Sequence, residues 1–160
     1  MTGYSALLDE GRIQPGRFSR EQVEGCMRIA RRDLEAASAI IDMSPEWAFN
    51  VAYNAALQAG RAYMFHEGYR ATGEGHHATV VRFLEIGLGR EYEEILMVVD
   101  RMRRKRNRAT YDVVETISRK EADEAIATAR EFLTTIARLA GPPAGPLGGS
   151  AARRRRPRRS

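Results

Sequence analysis

Six cations fall within eight positions at residues 101–108: Arg101, Arg103, Arg104, Lys105, Arg106 and Arg108. The run, RMRRKRNRATYD, also holds Asn107 and ends with Tyr111 and Asp112. Guanidinium groups grip phosphate through paired N–H donors, an amide both donates and accepts, and a tyrosine ring hydrogen-bonds or stacks on a base. That combination suits a phosphate-bearing ligand, an RNA backbone foremost. The competing reading is a solvated helix end, because cations sit well near a helix C-terminus. Spacing argues against capping alone. Arg101 and Arg104, Arg103 and Arg106, and Arg104 and Arg108 stand three or four residues apart, and each such like-charge pair costs roughly 0.2–0.5 kcal/mol on an exposed helix. An anionic partner offsets that repulsion, which makes Arg103, Arg104, Lys105 and Arg108 candidate RNA-binding residues.

Arg106 differs from its neighbours. The helix carrying the run has an apolar stripe at Tyr92, Ile95, Val99 and Met102, and four residues beyond Met102 comes Arg106. A cation on the buried side of a helix is normally paired.

Other chemistry finds little to build on. His66-Glu67 opens like the zinc motif HExxH, but its fifth position is Arg70. His76 and His77 are adjacent and point apart on a helix, while Glu74 and His77 straddle Gly75. No Cys-x-x-Cys pair is present, and no glycine-rich phosphate loop follows a strand. The histidines are expected to be structural or solvent-exposed, with no metal and no cofactor. The single cysteine, Cys26, lies beside Met27 in an amphipathic stretch and reads as a small core residue. It has no intramolecular disulfide partner, which fits a reducing compartment.

The elements that must position the run read as helices. Ser19 and Gln22 have capping-box spacing, and Val23, Met27, Ala30, Leu34, Ala37 and Ile41 follow in alternating four- and three-residue steps. Ser44-Pro45-Glu46 starts a second helix, with Pro at its first position. It is expected to run to about Ala71, with Ala52, Ala55, Ala59 and Ala62 along one side and the bulky Tyr53, Tyr63, Phe65 and Tyr69. Thr72-Gly73-Glu74-Gly75 breaks it, and His76 and His77 open a third, shorter helix closed around Gly87 and Gly89. The cationic helix begins with Glu91, Glu93 and Glu94. A last helix starts from a Ser118–Glu121 capping box. No strand-like alternation and no repeat is found, so the expected fold is all-α, an up-down helical bundle of four to five helices.

The chain is 160 residues long, enough for one domain and its flanks. Residues 1–18 read as an N-terminal extension with a brief helix and a loop, 19–140 as the helical domain, and 141–160 as a disordered Pro/Gly linker with an Arg-rich tail. Net charge is +5, but the last ten residues hold six Arg and no acid, leaving 20 Lys and Arg against 21 acids elsewhere. The body is thus slightly acidic with one concentrated basic spot. No run approaches the roughly 18 apolar residues of a membrane span, and the first residues have no secretory pattern. The expected setting is cytoplasmic, without a membrane.

Three stretches together resemble the HEPN domain, the higher eukaryote and prokaryote nucleotide-binding family, over residues 19–140. They are ARRDLEAASAI, AYNAALQAGRAYMFHEGYRATGEGHH and MRRKRNRATYD. The last is similar to the Arg, polar residue, three variable residues and His of HEPN ribonucleases. Laid onto this chain, the motif Arg is Arg106, the polar residue Asn107, and the His position is held by Tyr111. The resemblance implies a HEPN-like bundle that pairs as a homodimer, with both motifs facing one cleft. It implies RNA or nucleotide binding and metal-independent RNA cleavage, in which the 2′-hydroxyl attacks the adjacent phosphate. The catalytic set would be Arg106, Asn107 and Tyr111. A tyrosine, with an ordinary pKa of about 10, is a poor base near neutrality, so that activity is expected to be weak or lost. A second register makes Arg104 the motif Arg, puts Ala109 at the His position and matches Tyr111 to a tyrosine adenylylated by a nucleotidyltransferase partner in toxin–antitoxin pairs. The alternative to all of these is a non-enzymatic helical interaction module with an Arg-rich nucleic-acid-binding tail.

Overall fold

The computed structural model describes residues 3–111 and 117–141, with residues 107–111 described by backbone alone. Helix α1 (Ser5–Asp9) leads into a short strand β1 (Ile13–Pro15). Ser19 then caps α2 (Arg20–Ile40) with the reciprocal box its spacing predicts. Its hydroxyl accepts from the Gln22 N–H at 3.1 Å, and the Gln22 side chain accepts from the Ser19 N–H at 2.8 Å. The seam at Val23, Met27, Ala30, Leu34 and Ala37 is buried, and so is Cys26.

Helix α3 (Pro45–Glu67) is the axis of the bundle. Ser44 caps it by accepting from the Trp47 N–H, and Pro45 takes the first position, where a missing N–H costs nothing. Its buried residues lie nearly all round, as a helix packed on several sides requires. Ala52, Ala59 and Ala62 are fully buried, and their small side chains let neighbouring backbones come close. The widest interface is with α2, the next with α6 (Arg119–Ala140). Tyr53 and Tyr63 are buried in this same core, so these two aromatic residues of α3 serve packing within the chain.

At Gly60, α4 (His76–Leu88) packs tightly on α3. A Cβ there would lie 2.6 Å from Val80 Cγ1 and 3.0 Å from Leu84 Cδ1. Gly60→Ala is therefore expected to destabilise the fold by about 1–2 kcal/mol, despite alanine's better helix propensity, because overpacking outweighs it. Urea denaturation would register this as a lower midpoint.

The structure ends α3 four residues before the predicted boundary. Gly68 adopts φ +88°, a left-handed conformation, and its N–H reaches the carbonyls of Met64 and Phe65. The chain then turns into β2 (Tyr69–Ala71), which pairs antiparallel with β1 in the register Ile13↔Ala71, Gln14↔Arg70, Pro15↔Tyr69. Of the brief helix and loop expected within residues 1–18, the helix is present as α1, while β1 forms where only loop was expected, and the expectation of no strands is corrected. Strands of three residues are too short for alternation to show. The first residues also join the core: Leu7 and Ile13 are buried, and Tyr4 stacks on Phe83 at 4.0 Å between ring centroids.

A 3-10 turn (Arg90–Tyr92) precedes α5 (Glu93–Tyr111). Among the described side chains of α5, Leu96, Val99 and Met102 are buried, while Ile95 is half-buried and Tyr92 sits in the turn. The predicted stripe thus holds at Val99 and Met102, while Leu96 takes the place of Ile95, and Tyr92 falls outside the helix, which begins only at Glu93. Ser118 caps α6 by accepting from the Glu121 N–H at 3.1 Å. The Glu121 carboxylate is drawn to Lys105 on α5.

Candidate functional site

The cation run is less naked than its sequence suggests. Asp100, one residue before it, takes Arg103 Nε at 2.9 Å on one oxygen and Arg104 Nη2 at 2.8 Å on the other. Lys105 pairs with Glu121 of α6. Three of the four predicted RNA-binding residues therefore have an acid at hand, which corrects the expectation of uncompensated repulsion. A helix places Asp100 three and four residues before these arginines, where i,i+3 and i,i+4 pairs meet. The two arginines face different surroundings. Arg104 has 59% of its side chain exposed and reaches solvent, whereas Arg103 has 20% and lies against the bundle.

Arg106 follows Met102 by one turn and is half-buried, as its position on the stripe predicts. Its guanidinium carbon lies over the Tyr53 ring of α3, 5.3 Å from the centroid. A cation so placed is drawn to the negative face of the ring. Tyr53 is only 1% exposed, and its hydroxyl stands 2.9 Å from Nδ1 of His77 in the first turn of α4. Arg103, Arg106, Tyr53 and His77 thus come together from three helices.

The electrostatics of this cluster favour a neutral imidazole beside cations. Burial pushes the Tyr53 hydroxyl up to about 12, against the pull of Arg106 and Arg103. His77 is held below its ordinary value, first by burial and then by Arg106, Arg103, His76 and Arg61. At pH 7 the neutral imidazole is thereby favoured. The tyrosine keeps its proton and can donate it to Nδ1, which puts the imidazole proton on Nε2.

His77 was expected to be structural or exposed. It is half-buried and bonded to Tyr53, while His76 is exposed. Sequence reasoning missed both Tyr53 and His77 as site residues. They are 24 positions apart, and nothing in periodicity shows that two helices bring them together. The side chains of Asn107, Arg108 and Tyr111 lie outside the described residues; the α5 backbone is helical through Tyr111. Cys26 is buried and its thiol is raised by burial, which makes it a poor nucleophile at neutral pH. Among the described residues, no group of three or more His, Cys, Asp or Glu is placed to hold a metal ion, and no helix is long and apolar enough to cross a membrane.

A helical bundle with a single core, in which Arg106 sits on the Tyr53 ring and the Tyr53 hydroxyl meets His77, is an all-α domain with a cationic cluster at one face. The chain belongs to the HEPN domain family, whose match covers residues 23–139, well over half its length. That membership ties it to nucleotide- or RNA-related function in general. No curated protein and no solved structure matches it.

Proposed function

We propose that the protein binds RNA or a nucleotide through the face built by Arg103, Arg106, Tyr53 and His77. The observation that carries this reading is the seating of Arg106 over the Tyr53 ring. A long cation fixed on a rigid aromatic surface loses little freedom when it takes a phosphate, and a guanidinium matches phosphate oxygens in charge and geometry. Arg104, with most of its side chain in solvent, extends the same basic surface. Pairing of two protomers, as the family resemblance implies, would set two such faces in one cleft. Two finer versions of this reading are weak metal-independent RNA cleavage, which would use Arg106, Asn107 and Tyr111, and a toxin–antitoxin role in which a nucleotidyltransferase partner modifies Tyr111, with Arg104 as the motif Arg.

The test is binding of a labelled single-stranded RNA by full-length protein in which the six tail arginines are replaced by serine, so that the tail's salt-dependent affinity is removed. Arg106→Ala is expected to weaken binding at least about tenfold, the loss of one charge-assisted contact. Binding within twofold of the unsubstituted protein would contradict the proposal. Running the same mixtures in EDTA adds a second readout, since cleavage that vanishes with Arg106 makes the protein a metal-independent ribonuclease.

A second reading has its own observation. Met43 and Trp47, at the α2–α3 turn, are 87% and 65% exposed. An exposed tryptophan beside an exposed methionine suits a protein contact, and it favours the interaction-module alternative if RNA binding proves independent of Arg106.

A further inference from the structure

His77 enters neither the RNA-binding residues expected from the sequence nor the Arg–polar–His motif, yet it is the one histidine bonded into the cationic cluster. Resting on the reading of that face as a phosphate site, we propose that His77 is itself a phosphate ligand. In this arrangement its Nε2–H donates to a phosphate held by Arg106 and Arg103, while the Tyr53 hydroxyl on Nδ1 fixes the ring's orientation.

Three features of the geometry carry this. Tyr53 is in the core, so the partner of Nδ1 is immobile, and the imidazole it holds is only half-buried. The same tyrosine ring lies under Arg106, so one rigid group positions both the guanidinium and the imidazole. His77 also lies in the first turn of α4, where the N-cap is Gly75, which supplies no side-chain oxygen to the free N–H groups there. A phosphate beside His77 would meet those N–H groups as well.

The groups facing His77 set the sign of the consequence. From α3 come Tyr53 and Arg61, from α5 Arg106 and Arg103 with Asp100 beside them, and from α4 itself His76. On the ribbon side Arg12 is engaged with Thr79 and Glu10. Burial first, and then the predominance of cations, hold the imidazole below its ordinary value. An anion placed among them reverses that balance, and an opposite charge within contact range raises a pKa by about 1–3 units. Binding of phosphate then takes up a proton. In the window between the free and bound pKa values, affinity falls as pH rises, by up to about tenfold for each pH unit that the window spans. Below the free value and above the bound one, the contribution of His77 to affinity is flat.

The test is NMR titration of the imidazoles of the full chain, which has three histidines, with and without a short RNA oligonucleotide or AMP. The His77 midpoint is expected to rise by about one pH unit or more on saturation, with His66 unmoved, and Arg106→Ala should abolish the rise. His77→Gln keeps a hydrogen-bonding group that does not titrate, and should remove this side chain's contribution to the pH profile of affinity even if it lowers stability. A rise with both ligands supports recognition of the phosphate alone. A rise with only one supports the proposal and names the source, strand or free nucleotide. Arg106-dependent binding with an unmoved His77 midpoint would overturn the proposal and leave the binding face intact. Binding that stays indifferent to Arg106 when the six tail arginines are replaced by serine would overturn both.

Discussion

Tyr53→Ala is expected to remove about 3–5 kcal/mol of folding stability and, in whatever remains folded, to disable the binding face. The stability loss follows from burial. Tyr53 is among the largest fully buried side chains, on the helix that every other long helix touches, and truncation leaves a cavity that the surrounding helices only partly fill. The functional loss follows from the same ring, which supports Arg106 on its face and holds His77 by its hydroxyl. Tyr53→Phe separates the two effects. It keeps the ring under Arg106 and deletes only the hydroxyl, so it should cost about 1 kcal/mol and leave Arg106-dependent binding largely in place. The freed His77 should then lose its fixed orientation. Chemical denaturation beside RNA anisotropy reads both variants.

Phe83→Ala is expected to be comparably damaging, about 3–5 kcal/mol, without a specific effect on binding. Phe83 is fully buried and stacks on Tyr4 with the ring planes 4° apart, while Tyr69 and Tyr63 contact it at 5.7 and 6.1 Å between centroids. It therefore joins the first residues, α3 and β2 to α4. Aromatic pairs add about 0.5–1.5 kcal/mol each beyond the area they bury, and alanine removes all of them together. Affinity per folded molecule should be unchanged. A fall in affinity matching that of Tyr53→Ala would mean the face depends on the whole of α4 rather than on its first turn.

Much of this fold was legible because its signals are local. Ser19, Ser44 and Ser118 each accept a hydrogen bond from the N–H three residues on, and that geometry is set by spacing alone. The seam of α2 was legible for the same reason. Features decided by tertiary contact were not. The end of α3 at Gly68 depends on a left-handed residue that the sequence could equally have carried through as helix, and the ribbon depends on two three-residue segments far apart in the chain. In the site, Arg106 was legible as the cation on a buried stripe, since periodicity places it there. The compensation of its neighbours was only half legible. Asp100 lay one residue outside the run that drew notice, and Glu121 comes from another helix. The Tyr53–His77 pair was wholly hidden, because a hydrogen bond between helices has no spacing rule.

The central claim is that phosphate-bearing ligand settles on Arg103 and Arg106 rather than on the tail alone. Arginine Nε–H resonances of the isotope-labelled full chain, assigned by substitution and followed as RNA is added, test it most directly. The account predicts saturable shifts at Arg103 and Arg106 that persist when the tail arginines are replaced by serine. Shifts confined to tail arginines, and lost with them, would contradict it.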